Sequence, residues 1–130
     1  MIQSGKFDNK KILLVDKDTK QRNDRTWCFW ETQAGLFEPI VYKKWSHAWF
    51  HNKDFSRLLE LAPYEYKLIR GIDYYNYCLG LIESSRNITV RYGYVEKLGD
   101  DNEGTHVLFD GEKIYAEYIF NSIFLCFSIG

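Results

Sequence analysis

The chain has 130 residues, room for one domain, with 17 Lys and Arg against 18 Asp and Glu and a formal net charge of −1. That balance, with no Lys/Arg run longer than two, excludes a nucleic-acid binder driven by phosphate contacts. Three scattered cysteines (Cys28, Cys78, Cys126) without CxxC or Cys/His spacing imply free thiols in a reducing compartment and no metal site, and neither a signal segment nor a bilayer-length apolar stretch is present.

Residues 1–5 read as a last helical turn with Gly5 as its C-cap. Residues 12–15 (Ile-Leu-Leu-Val) then form a continuous apolar run closed by Asp16. The run predicts a strand over 11–16, covered on both faces as in a parallel sheet. In dinucleotide-binding folds an acid at the end of the second strand accepts the ribose hydroxyls, which makes Asp16 a candidate cofactor residue. The same pattern is also common in α/β proteins with no such role. The glycine fingerprint that should lie about 20 residues earlier would fall ahead of residue 1. Residues 17–25 read as a polar loop, and 26–30 (Thr-Trp-Cys-Phe-Trp) as an extended aromatic segment.

Residues 40–51 read as one extended segment rich in β-formers. Residues 55–61 read as a short strand or a helical turn, broken by Pro63. Tyr64, Tyr66, Leu68 and Arg70 then alternate onto one strand face. Gly71-Ile72-Asp73 opens the one convincing helix, with Ile72, Tyr75, Leu79 and Ile82 at helical spacing and Asp73 as N-cap or first-turn acid. The helix closes near residue 86. Strands are expected at 88–92, running on through 95–98, then at 105–109 and 113–116, with a tight hairpin turn at Asp110-Gly111. Tyr118-Ile119-Phe120 reads as a further buried-type strand.

Aromatic residues make up 18% of the chain. Half-buried Tyr in a β-rich core explains this most simply, and a long apolar ligand surface explains it too.

The run Asn23-Asp24-Arg25-Thr26-Trp27-Cys28-Phe29-Trp30-Glu31, placed soon after the acid-ended strand, resembles the bacterial lycopene cyclases. Residues 64–75 and 116–123 follow in the order of that family. The resemblance implies an α/β fold (α+β within these residues): a partial FAD/NAD(P)-binding, Rossmann-like domain over 1–130, with a β-meander and one main helix. It implies FAD as cofactor, with NAD(P)H as the flavin's reductant. Asp16, Arg70 and the backbone at Val95 would be cofactor contacts, and Trp27, Phe29 and Trp30 the walls of the lycopene site. For these three, ordinary core packing is the alternative, and for Arg70 helix–sheet anchoring. Arg25 would pair with a flavin phosphate or with Asp24, or lie on the surface.

The family's reaction is a non-redox isomerisation. A terminal double bond of lycopene is protonated, a neighbouring double bond attacks the cation, and a proton is lost to leave a β-ionone ring. The family's acidic catalytic motif has no counterpart here, so no catalytic residue is assigned. The expectation is a fragment that is itself inactive and binds FAD poorly, from a cytoplasmic enzyme with peripheral membrane association, prone to self-association through exposed strand edges. The alternative reading is a non-catalytic β-rich module that holds a ligand through surface Trp and Tyr, with Trp45 and Trp49 on one face. His47 and His51, four apart, would share a face only on a helix, and their segment reads as strand.

Overall fold

The computed structural model describes residues 4–122. Strand accounts for 45% and helix for 14%, so the mixed α and β character holds with strand predominant. The chain divides into two compact units, one of residues 4–12 and Lys20–Ile88, the other of Leu13–Thr19 and residues 89–122.

The first unit is built on a three-stranded antiparallel sheet, β2 (Thr26–Glu31), β6 (Glu65–Arg70) and β3 (Lys43–Trp45), with β6 in the centre. Helix α1 (Gly71–Glu83) continues directly from β6 and buries Gly71 and Tyr75. A 3₁₀ turn at Glu38–Ile40 precedes β3. Strands β4 (His47–Asn52) and β5 (Phe55–Glu60) form a separate two-stranded hairpin. The expected single segment over 40–51 is thus three pieces. Pro39 favours the opening of the 3₁₀ turn, and Ser46 ends β3 by passing its carbonyl to the N–H of Leu61 (2.8 Å). The helix ends at Glu83 rather than near 86, where Ser84 donates its N–H to the Gly80 carbonyl (3.2 Å). Asp73 lies in its first turn, where a negative charge suits the helix dipole.

In the second unit β8 (Val95–Asp101), β9 (Gly104–Phe109) and β10 (Glu112–Tyr115) form the expected antiparallel meander. Its two-residue turn, Asp110 at φ 46° and Gly111 at φ 80°, has the doubly positive backbone that matches the strand twist. Val95, Val107 and Phe109 form the buried cluster, with Val15, Leu98 and Ile114 against it. Strand β1 (Ile12–Asp16) pairs only with β7 (Ile88–Tyr92) among the described residues. The Ile12 N–H reaches the Asn87 carbonyl (2.9 Å) and the Gly93 N–H the Asp16 carbonyl (3.0 Å), so starts match starts and ends match ends: the pair is parallel.

Three expectations are corrected. Strand β1 is not covered on both faces, since Leu13 and Leu14 are exposed while Ile12, Val15 and Asp16 are half-buried; among the described residues a two-stranded sheet gives Leu13 and Leu14 little cover. Strands β7 and β8 are not continuous, because Gly93 turns the chain toward Asp16. Residues 118–120 are not a strand; Tyr118 and Phe120 are exposed, with no ladder to join. The expected turn at residues 1–5 lies largely outside the described residues, although Gly5 has the left-handed φ of 64° that suits a C-cap.

Candidate functional site

In the second unit the acid-ended strand meets the start of the meander. The Asp16 carboxylate accepts the Asp18 N–H (3.0 Å), an Asx turn that fixes its direction. Gly93 is required at the neighbouring position: a Cβ there would overlap the Asp110 carboxylate and lie 2.6 Å from the Phe109 ring. Asp110 in turn accepts the Tyr94 N–H (2.8 Å). Val95 faces inward at 6% exposure, so any contact it makes with a ligand is through its backbone. Asp16 and the backbone of residues 93–95 are therefore brought together.

In the first unit the Asn23-Asp24-Arg25 loop closes the N-terminus of α1. The Gly71 N–H donates to the Arg25 carbonyl (2.7 Å), and the Ile72 N–H to the Asn23 side-chain oxygen (3.4 Å). These bonds satisfy donors that a helix start leaves without intrahelical partners. The Tyr75 hydroxyl donates to Asp24 (2.9 Å), and this bond more than the neighbouring Arg25 holds the Asp24 carboxyl below its ordinary range. Burial first, and Asp24 second, push the Tyr75 phenol up. Arg25 pairs with Asp24 at 3.3 Å, one of the roles expected for it.

Strand alternation separates the three aromatic wall candidates. Trp27 and Phe29 lie on the β2 face shared with Lys67 and Ile69; Trp30 lies on the opposite face with Tyr66. Trp27 packs on Tyr74 and Tyr75 (centroids 4.7 and 5.8 Å), whereas Trp30 packs on Tyr66 (4.7 Å). The three do not form one wall.

Arg70 holds Asp73 through two bonds (2.6 and 2.9 Å) and lies over the Tyr42 ring, 4.3 Å from its centroid. The pairing lowers the Asp73 carboxyl and raises the guanidinium. Together with Pro39, Ile40, Val41 and Tyr77 these groups line an open depression of about 460 Å³. The Arg70 charge is thus matched by Asp73 in the first turn of α1.

Sequence reasoning missed the most buried charged side chain among the described residues. Lys67, 1% exposed, donates to Glu38 (2.6 Å) and Glu31 (3.0 Å) and lies 3.7 Å from Glu65. Lys44 bonds the same Glu38. The Glu38 bond, more than the Glu31 bond, pushes the Lys67 ammonium up to about 12, and Lys44 first and Lys67 second hold the Glu38 carboxyl down. A signal was available: the 64/66/68/70 face leaves Glu65, Lys67 and Ile69 on the other, and a central strand buries both.

His47 and His51 lie on β4, each bonded to a serine (Ser46, 2.8 Å; Ser56, 2.7 Å), and no group of three metal-ligating side chains occurs among the described residues. Trp45 packs on Tyr66 in one sheet and Trp49 stacks on His51 in another, so the two tryptophans belong to different elements. Cys28 is exposed, Cys78 is half-buried, and both are free thiols; Cys126 lies outside the described residues. No family model, curated protein or solved structure matches this chain.

Proposed function

We propose that the chain is part of an FAD-dependent flavoprotein of the lycopene β-cyclase type, with Asp16 and the backbone at residues 93–95 forming its adenosine-side contact. The observation that carries the reading is the hydrogen bond from the Gly93 N–H to the Asp16 carbonyl, which places the acid of β1 beside the first residues of the meander. The parallel β1–β7 pair and the Thr-Trp-Cys-Phe-Trp strand paired with β6 are consistent with it. A carboxylate at a strand end fits two ribose hydroxyls. Arg70 fits a direct flavin contact less well, because two of its bonds go to Asp73. Trp27 and Phe29 on one face of β2 are the carotenoid-facing candidates, and Trp30 is not part of the same surface. FAD, when bound, would supply the electron-rich ring that stabilises a carbocation, while this chain's aromatic side chains would exclude water and present their π faces.

The full chain titrated with FAD, followed by backbone amide shifts, tests this. Shifts confined to Asp16 and residues 93–95, lost in Asp16→Ala, are expected even where affinity is low. Shifts absent from that junction, or unchanged in Asp16→Ala, overturn the reading. Trp49, 62% exposed on the β4–β5 hairpin, favours the second reading, a module that binds ligands through surface aromatics. In that case shifts would gather on β4 and β5.

A further inference from the structure

The segment of residues 37–42 contributes its last four residues, 39–42, to one side of the Arg70 depression. Its 3₁₀ turn fully buries no residue, and Phe37, Ile40 and Val41 are half-buried. On the helix side it touches α1 through Phe37, whose ring lies 5.4 Å from Tyr74 and 6.2 Å from Tyr77. On the sheet side it is tied by the Tyr42 N–H to the Leu68 carbonyl (2.9 Å) and by Glu38. The Glu38 carboxylate bonds Lys67 of β6 and Lys44 of β3 together. The other charged groups of the cluster are Glu31 on β2 and Glu65 on β6.

We propose that Glu38 is a charge-dependent latch: its ion pairs to Lys67 and Lys44 seat residues 39–42 as one wall of the Arg70 depression, and loss of its charge releases that wall and with it Tyr42. Lys67 drives the coupling. It is buried and needs an anion, and Glu38 is the nearest of its three carboxylates. Since Glu38 is held ionised below its ordinary range, the latch is closed at neutral pH and opens on acidification through and below that range. The depression's shape therefore depends on a side chain that does not line it.

Amide hydrogen exchange on the full chain at pH 7 tests this, comparing Glu38→Gln with Glu31→Gln. Glu31→Gln also removes a carboxylate from Lys67, but from β2 rather than from the 3₁₀ turn. Exchange at Tyr42 is expected to rise at least about tenfold in Glu38→Gln, as local opening does, with Val107 and Leu108 of β9 unchanged and Tyr42 unchanged in Glu31→Gln. An unaltered Tyr42 in Glu38→Gln, or an equal rise in both variants, overturns the latch. If Glu38→Gln does not fold, the wild-type chain decides: the Tyr42 amide must shift with the same midpoint as the Glu38 carboxyl in an acid titration, and a Tyr42 amide that does not follow it overturns the proposal.

Discussion

Phe109→Ala is the sharpest perturbation of the meander and of the junction it supports. Phe109 is 1% exposed, central to the Val95–Val107 cluster, with the Arg91 guanidinium 4.8 Å from its ring centroid and Gly93 against the ring edge. Phe→Ala in a core costs about 3–5 kcal/mol, the spread reflecting how far the site collapses. Half-buried Val15, Leu98 and Ile114 can close part of the space, so the lower end, about 3 kcal/mol, is expected. Such a loss raises the opening constant by roughly 100-fold. Amide exchange at Val107 and Leu108 reads it directly, and the Gly93 amide should speed up with them, since the ring backs its bond to Asp16. A rise of less than about tenfold, or a Gly93 amide that stays protected while β9 opens, would refute the argument that Phe109 supports both the cluster and the Asp16–Gly93 junction.

Three further outcomes are expected. Gly111→Ala forces a side chain onto φ 80° and should lower stability by about 1 kcal/mol, whereas Gly80→Ala, in open space within α1, should raise it by up to about 1 kcal/mol; thermal melts giving the same sign for both would contradict this. Asp101 is held down to about 2, first by Lys113 and then by the Glu103 N–H. Its folded value lies below the ordinary 3.8, so its contribution is present above that value and is lost as pH falls toward about 2. Asp101→Asn should flatten that acid limb in β8–β9 amide protection, and an unchanged limb would show that other groups set it. Tyr75→Phe removes the main cause of the low Asp24 carboxyl, so the Asp24 ¹³C titration should move up toward the ordinary range; a midpoint that stays put would assign the shift to the backbone bond at Asp24 and to Arg25 instead.

The sequence by itself determined most of the local structure, because each such element is set by neighbours in the chain. The helix after Arg70, the meander and the Asp110-Gly111 turn rest on helical spacing, alternation and turn chemistry within short windows. Period-two alternation also carried two facts that were legible but not read: Trp27 and Trp30 must face opposite ways, and Lys67 must share a face with Ile69. Other features lay in no window. Lys67 draws on Glu31 and Glu38, 36 and 29 residues away, so its burial is decided only when three strands and a turn assemble. The Asn-Asp-Arg loop caps a helix that begins 46 residues after Arg25, a role no local pattern announces. The exposure of Leu13, Leu14, Tyr118 and Phe120 was likewise a tertiary outcome. An apolar run states only that burial would be favourable, and whether it is buried depends on what the rest of the fold brings against it.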